Sequence, residues 1–137
     1  MAQVLDASVA IAWCALNQAT ALTRAALVDV MANGALVPSS FWYEVFHGLA
    51  RLERRGIVSK NEIEDFVTHV SKLNLSVDPA RNTAEMVDLY QLSQQASLSI
   101  YDAGYLELAL RSGLPLVTTD KALASAARDA GVAAATG

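Results

Sequence analysis

Four acids, Asp6, Glu44, Asp102 and Asp120, have the residue type and the placement to work together. Asp6 follows the short apolar run Gln3 to Leu5, and Asp120 ends the run that begins at Leu114. If both runs are parallel strands, their acids share the rim where open α/β sheets keep their ligand crevice. Leu106 and Ala109 fall within about 40° of Asp102 on a helical wheel, so its carboxylate faces inward. Glu44 lies in the aromatic stretch Phe41 to Phe46, beside the apolar face, with Gly48 removing bulk one turn on. Carboxylates ~4 Å apart repel by roughly 4 kcal/mol at an effective dielectric of 20, so a converging set needs protons, hydrogen bonds or a cation. A divalent ion resolves that conflict. All-oxygen donors suit Mg²⁺ or Mn²⁺, which bind a few carboxylates together with substrate phosphate oxygens. The expected substrate is a phosphate ester, and the expected chemistry is metal-assisted hydrolysis.

Each acid also has an ordinary structural reading. Asp6 and Asp120 stand where helix N-caps stand. Asp102, three residues after Ser99, matches the partner in a capping box. Glu44 near the start of a helix, with Arg51 and Arg55 towards its end, complements the helix dipole. Those arginines continue the Glu44 edge about 10 and 16 Å along the axis, a spacing suited to an RNA backbone as well as to solvent. Lys121, next to Asp120, is placed to steady a phosphate as a point charge. His47 is expected to be a hydrogen-bonded structural histidine. His69, Tyr90, Trp13 and Trp42 read as helix-face or core residues.

The elements that must hold these side chains follow from periodicity and punctuation. Strands are expected at Gln3 to Leu5, Ala35 to Val37, Leu75 to Val77, Leu114 to Val117 and Val132 to Ala135. Helices are expected over Val9 to Leu16, over Gln18 to Asn33 before Gly34, and from Pro38-Ser39-Ser40 to about Arg55. Ser59 and Glu62 form a capping box for the next helix. Asp78-Pro79 is read as the start of another, Ser99 opens one ending near Arg111, and Lys121 to Ala130 is the last. Short strands alternating with helices give an α/β fold with a mostly parallel sheet covered on both faces.

Composition sets the class. The 137 residues are 53% hydrophobic and 18% charged, with 7 Gly and 3 Pro, which suits one packed domain over residues 1–137 and carries no signature of disorder. A net charge of -4 argues against an arm gripping nucleic acid by bulk positive charge. Cys14 is the single cysteine, so neither an internal disulfide nor a cysteine-rich zinc site is expected. No signal-peptide pattern and no run long enough to span a bilayer are apparent, so a cytoplasmic protein with no membrane association is expected.

The order of these acids resembles the PIN domain, and most closely the VapC-like toxin ribonucleases of prokaryotic toxin and antitoxin pairs. The matching segments are Val4-Leu5-Asp6-Ala7-Ser8, Tyr43-Glu44-Val45 with Gly48-Leu49, Tyr101-Asp102-Ala103-Gly104-Tyr105 with Leu108-Ala109, and Leu116-Val117-Thr118-Thr119-Asp120. The resemblance implies a PIN-like three-layer sandwich around a short sheet of four to five strands. It also implies a metal-dependent endoribonuclease, the toxin of its pair, whose Asp6, Glu44, Asp102 and Asp120 bind one or two Mg²⁺ or Mn²⁺ ions. Ser8 and Thr118 match the small polar residues that support the first and last acids. RNA substrate, a cognate antitoxin and a homodimer are the partners it implies. His47 stands where many relatives carry Asn, and Gly104 replaces a larger residue beside the third acid. A PIN fold that binds RNA or protein without cutting is the main rival. Phosphatases with an aspartyl nucleophile fit less well, because the segment Asp6-Ala7-Ser8 lacks a second acid two places on.

Overall fold

The computed structural model describes residues 2–136. Its strands are β1 (Gln3–Leu5), β2 (Ala35–Val37), β3 (Leu75–Val77), β4 (Leu116–Val117) and β5 (Ala134–Ala135). They form one sheet in the order β3-β2-β1-β4-β5, with every neighbouring pair parallel. Val4 is the centre of the register, opposite Leu36 on one side and Leu116 on the other. Such short strands cannot stand alone. Their stability comes from burying Val4, Leu5, Val37, Leu116 and Val117 on both faces under helices.

The helices are α1 (Ala7–Cys14), α2 (Ala21–Asn33), α3 (Phe41–Arg54), α4 (Lys60–Val70), α5 (Thr83–Ala96), α6 (Ile100–Ser112) and α7 (Lys121–Asp129). α1 packs against α2, α3 and α4, while α6 packs against α5, α7, β1 and β4. This is the α/β architecture expected, with its parallel sheet between two sets of helices. Phe41, Leu49, Tyr105, Leu106, Leu108 and Leu123 fill the interior.

Local chemistry moved several boundaries. α1 begins at Ala7, two residues earlier than expected, and the chain after Cys14 tightens into a 3₁₀ turn over Leu16–Gln18. α2 starts only at Ala21, because Thr20 and Thr23 form a reciprocal cap. The expected start of α5 at Asp78-Pro79 is wrong. Asn82 caps that helix in a capping box with Glu85, and Asp78 is held instead by Arg111 at 2.7 Å. Leu89 supplies the buried side of α5, whereas Tyr90 is exposed. Gly48 also differs: a Cβ there would stand 2.5 Å from Ile11 Cδ1. Its missing side chain lets α3 close on α1 rather than clearing space beside Glu44.

Candidate active site

The parallel sheet delivers Asp6 and Asp120 to one rim, because β1 and β4 pair directly and each acid follows its strand. Asp6 occupies the N-cap position of α1, but its side chain makes no cap hydrogen bond. Its Oδ2 instead accepts from Ser8 Oγ at 2.5 Å and from Thr118 Oγ1 at 2.6 Å. Those hydroxyls are themselves aimed by backbone. Ser8 Oγ accepts from the Thr119 N–H at 3.2 Å, and Thr118 Oγ1 from the Asp120 N–H at 2.9 Å. The turn after β4 thus holds the buried Asp6 through the hydroxyls of Ser8 and Thr118.

Asp120 is a helix cap in full. Its Oδ1 accepts from the N–H groups of Ala122 and Leu123 at 2.8 and 3.2 Å. Asp102 is not. Ser99 Oγ accepts from the Asp102 N–H at 3.1 Å, yet the return bond that completes the boxes of α2, α4 and α5 is missing in α6. The Asp102 carboxylate therefore does not close a capping box, although the Ser99 side chain still lowers its pKa against the effect of burial.

Glu44 is held by two residues that the sequence did not single out. Its Oε1 accepts from Ser40 Oγ at 3.0 Å and from Tyr105 Oη at 3.1 Å. The fully buried Tyr105 hydroxyl also accepts from the Ala7 N–H at 3.3 Å, which ties Glu44 to the start of α1. Ser40 was detectable from its spacing of four to Glu44, and Tyr105 from its place one turn after Asp102 on the inward face of α6.

Electrostatics link the four acids. Burial pushes Glu44 up to about 7, with the charges of Asp6 and Asp102 adding to the rise against the hydrogen bonds of Ser40 and Tyr105. Burial likewise pushes Asp102 up to about 6, with help from Asp6 and Asp120. Asp6 is raised chiefly by burial and further by Asp120, while Ser8 and Thr118 oppose the shift. Asp6 thus acts on both Glu44 and Asp102, and Asp120 on both Asp6 and Asp102. As they stand, however, no three His, Cys, Asp or Glu side chains among the described residues make a ready metal-binding group. Local hydrogen bonds hold Asp6, Glu44 and Asp120 to their own partners. Hard oxygen donors whose negative charge is penalised by burial and by one another still suit a hard divalent cation, which relieves both penalties.

The PIN domain profile matches residues 4–129, the span that carries all four acids. The chain belongs to the PIN domain family. That family is a nuclease fold whose members typically use divalent metals. Among solved structures, the chain is similar to PAE2754 from Pyrobaculum aerophilum, with a TM-score of 0.73 at 20% identity, covering 98% of this chain and 89% of that one. It is also similar to FitAcB from Neisseria gonorrhoeae, with a TM-score of 0.62 at 15% identity, covering 96% and 94%. Those likenesses establish the shared PIN fold. No curated protein matches the sequence significantly.

The basic residues lie outside this hydrogen-bonded centre. Arg51 and Arg55 are exposed on α3 and its cap, and Lys121 is exposed at the first turn of α7. None forms an ion pair among the described residues. His47 departs from expectation, being exposed with no hydrogen bond among the described residues; it shares the Glu44 to Arg51 side of α3. Trp13 is part-buried and donates from Nε1 to the Thr23 carbonyl at 2.8 Å, which is a structural role.

Proposed function

We propose that this PIN protein is a metal-dependent endoribonuclease, the toxin of a toxin and antitoxin pair, hydrolysing RNA phosphodiester bonds. The observation that carries the reading is geometric: the turn after β4 grips Asp6 through Thr118, and the Tyr105 hydroxyl of α6 joins the start of α1 to Glu44, which gathers acids from α3, α6 and two strand ends at one rim of the sheet. Asp6 and Asp102 would hold Mg²⁺ or Mn²⁺ directly, Glu44 directly or through water, and Asp120 by what its capping role leaves free. When bound, the ion supplies an acidified water and charge stabilisation at the phosphate. Ser8 and Thr118 orient the Asp6 carboxylate, and Ser40 with Tyr105 orients Glu44. Arg51, Arg55 and Lys121 would follow the RNA phosphates.

Two surfaces support protein partners. A cavity of about 670 Å³ opens among α1, α2 and α4, with Trp13, Leu27, Met31, Phe66 and Leu73 in its lining. It suits an apolar segment of a cognate antitoxin. Tyr43 and Phe46, exposed on α3, suit a homodimer contact. No helix among the described residues is long and apolar enough to cross a membrane.

Incubating the purified protein with total RNA and Mn²⁺ tests the activity. Cleavage that stops with chelator and with Asp6→Asn supports the nuclease, whereas RNA binding without cleavage supports the non-catalytic rival.

A further inference from the structure

One strand along the same rim, a second cavity opens beyond the C-terminal ends of β2 and β3. It measures about 230 Å³ and is bounded by Pro38 to Ser40, Asp78 and Pro79, α5 and the first turns of α6. Ser40 belongs to both places, since it lines this cavity and its hydroxyl donates to Glu44. The N-terminal turn of α6 also serves both, with Asp102 on one flank and Tyr101 and Gly104 on the other.

The walls combine flat apolar surface with a fixed polar floor. Pro38, Pro79 and Ile100 supply the former, and Tyr101 at the edge is 57% exposed. The floor is the ion cluster of Asp78, Arg81 and Glu107, locked further by Arg111 bonding Asp78 at 2.7 Å and Glu107 at 2.8 Å. A Cβ on Gly104 would meet nothing within 4 Å, so this glycine is not required by packing and leaves the cavity open. The volume falls below the roughly 300–1,000 Å³ of pockets for drug-sized ligands and suits a single planar ring. Apolar faces, an aromatic edge and a rigid polar floor are what an unstacked base needs.

We propose that this cavity is a nucleobase subsite that receives one unstacked base of the RNA next to the cleaved phosphate. The proposal rests on the nuclease reading, because RNA crossing the first turn of α6 puts a phosphate on the Asp102 side and a neighbouring base on the Tyr101 side. Tyr101 is then a stacking surface, and the absence of a side chain at residue 104 admits the base.

Two measurements test it. The first uses chelator and short single-stranded RNAs carrying 2-aminopurine, whose fluorescence reports stacking without any turnover. Wild type is expected to quench the probe, Gly104→Leu and Tyr101→Ala to bind about tenfold more weakly with the quench lost, and Tyr101→Trp to restore it. The second maps cut sites in a randomised RNA with Mn²⁺. Wild type is expected to prefer particular bases at one position beside the cut, and Gly104→Leu to flatten that preference. Thermal midpoints and far-ultraviolet dichroism confirm that each variant folds. An unchanged quench and an unchanged cut-site preference in folded Gly104→Leu would overturn the subsite even if cleavage is robust. Quenching abolished by Gly104→Leu, with no cleavage by wild type, would uphold base binding and reject the nuclease reading instead.

Discussion

At the scale of single residues, hydroxyls orient two of the candidate carboxylates, Asp6 and Glu44, and these hydroxyls make sharper tests than the acids. Asp6→Asn and Asp102→Asn are expected to abolish Mn²⁺-dependent RNA cleavage while leaving the dichroism spectrum intact, since neither removes core volume. Tyr105→Phe keeps the buried ring but removes the oxygen that accepts from Ala7 and donates to Glu44. Leaving the Ala7 N–H without that partner should cost about 1–3 kcal/mol. A lowered thermal midpoint together with weaker Mn²⁺ binding by calorimetry checks both effects. The acids were legible in the sequence because their spacing from strands and helix faces is local. The Tyr105 to Glu44 bond was not, because it joins residues 61 apart and depends on how α3 and α6 meet. Asp6 and Asp120 show the same limit: both occupy cap positions, but only the fold turns Asp6 away from its own helix and towards Thr118.

At the scale of elements, caps and ion clusters decided what the sequence left ambiguous. The Asn82 and Glu85 box and the Ser59 and Glu62 box have the same form, yet Asp78-Pro79 concealed the former by offering an earlier start signal. Asp78 serves the cluster that ties the loop before α5 to α6, and Glu107 is its centre. Burial pushes Glu107 up, but hydrogen bonds and charge from Arg111 and Arg81 outweigh it and hold the group below the usual glutamate range. A depressed folded pKa means that the stabilisation is present above the unfolded value of about 4.3 and is lost as pH falls through the folded one. Glu107→Gln should therefore be less stable than wild type near pH 7, by about 1 kcal/mol for a part-buried cluster still screened by solvent at Arg111. In paired urea titrations the gap should begin to narrow below about pH 4 and close once the pH has passed the depressed folded value. On α3, Arg51→Ala combined with Arg55→Ala should weaken RNA binding uniformly across sequences. If each arginine neutralises one phosphate, the salt slope for single-stranded RNA should fall by about 1.4. An unchanged slope would remove both from the RNA path.

For the whole molecule, repulsion among half-buried acids is a cost of folding that a bound cation offsets. The order of the sheet makes that cost unavoidable, because pairing β1 with β4 sets the Asp6 and Asp120 ends side by side. The packing of α6 against β1 then adds Asp102 to their field. Replacing Glu44 by Gln keeps an acceptor for Ser40 and Tyr105 but removes the charge that burial, Asp6 and Asp102 penalise. Without divalent ions, Glu44→Gln should thus be more stable than wild type at neutral pH, by roughly 1 kcal/mol once solvent screening of the part-buried group is allowed for. Mn²⁺ at a hundred times its dissociation constant should raise wild-type stability by about 2.7 kcal/mol through mass action. The Glu44→Gln midpoint should rise less, and Asp6→Asn with Asp102→Asn hardly at all. Thermal unfolding of the four proteins over a Mn²⁺ series, each with a chelator control, separates the two contributions. Equal midpoint shifts in all four would place the ion elsewhere on the molecule and leave the acids as structural charges.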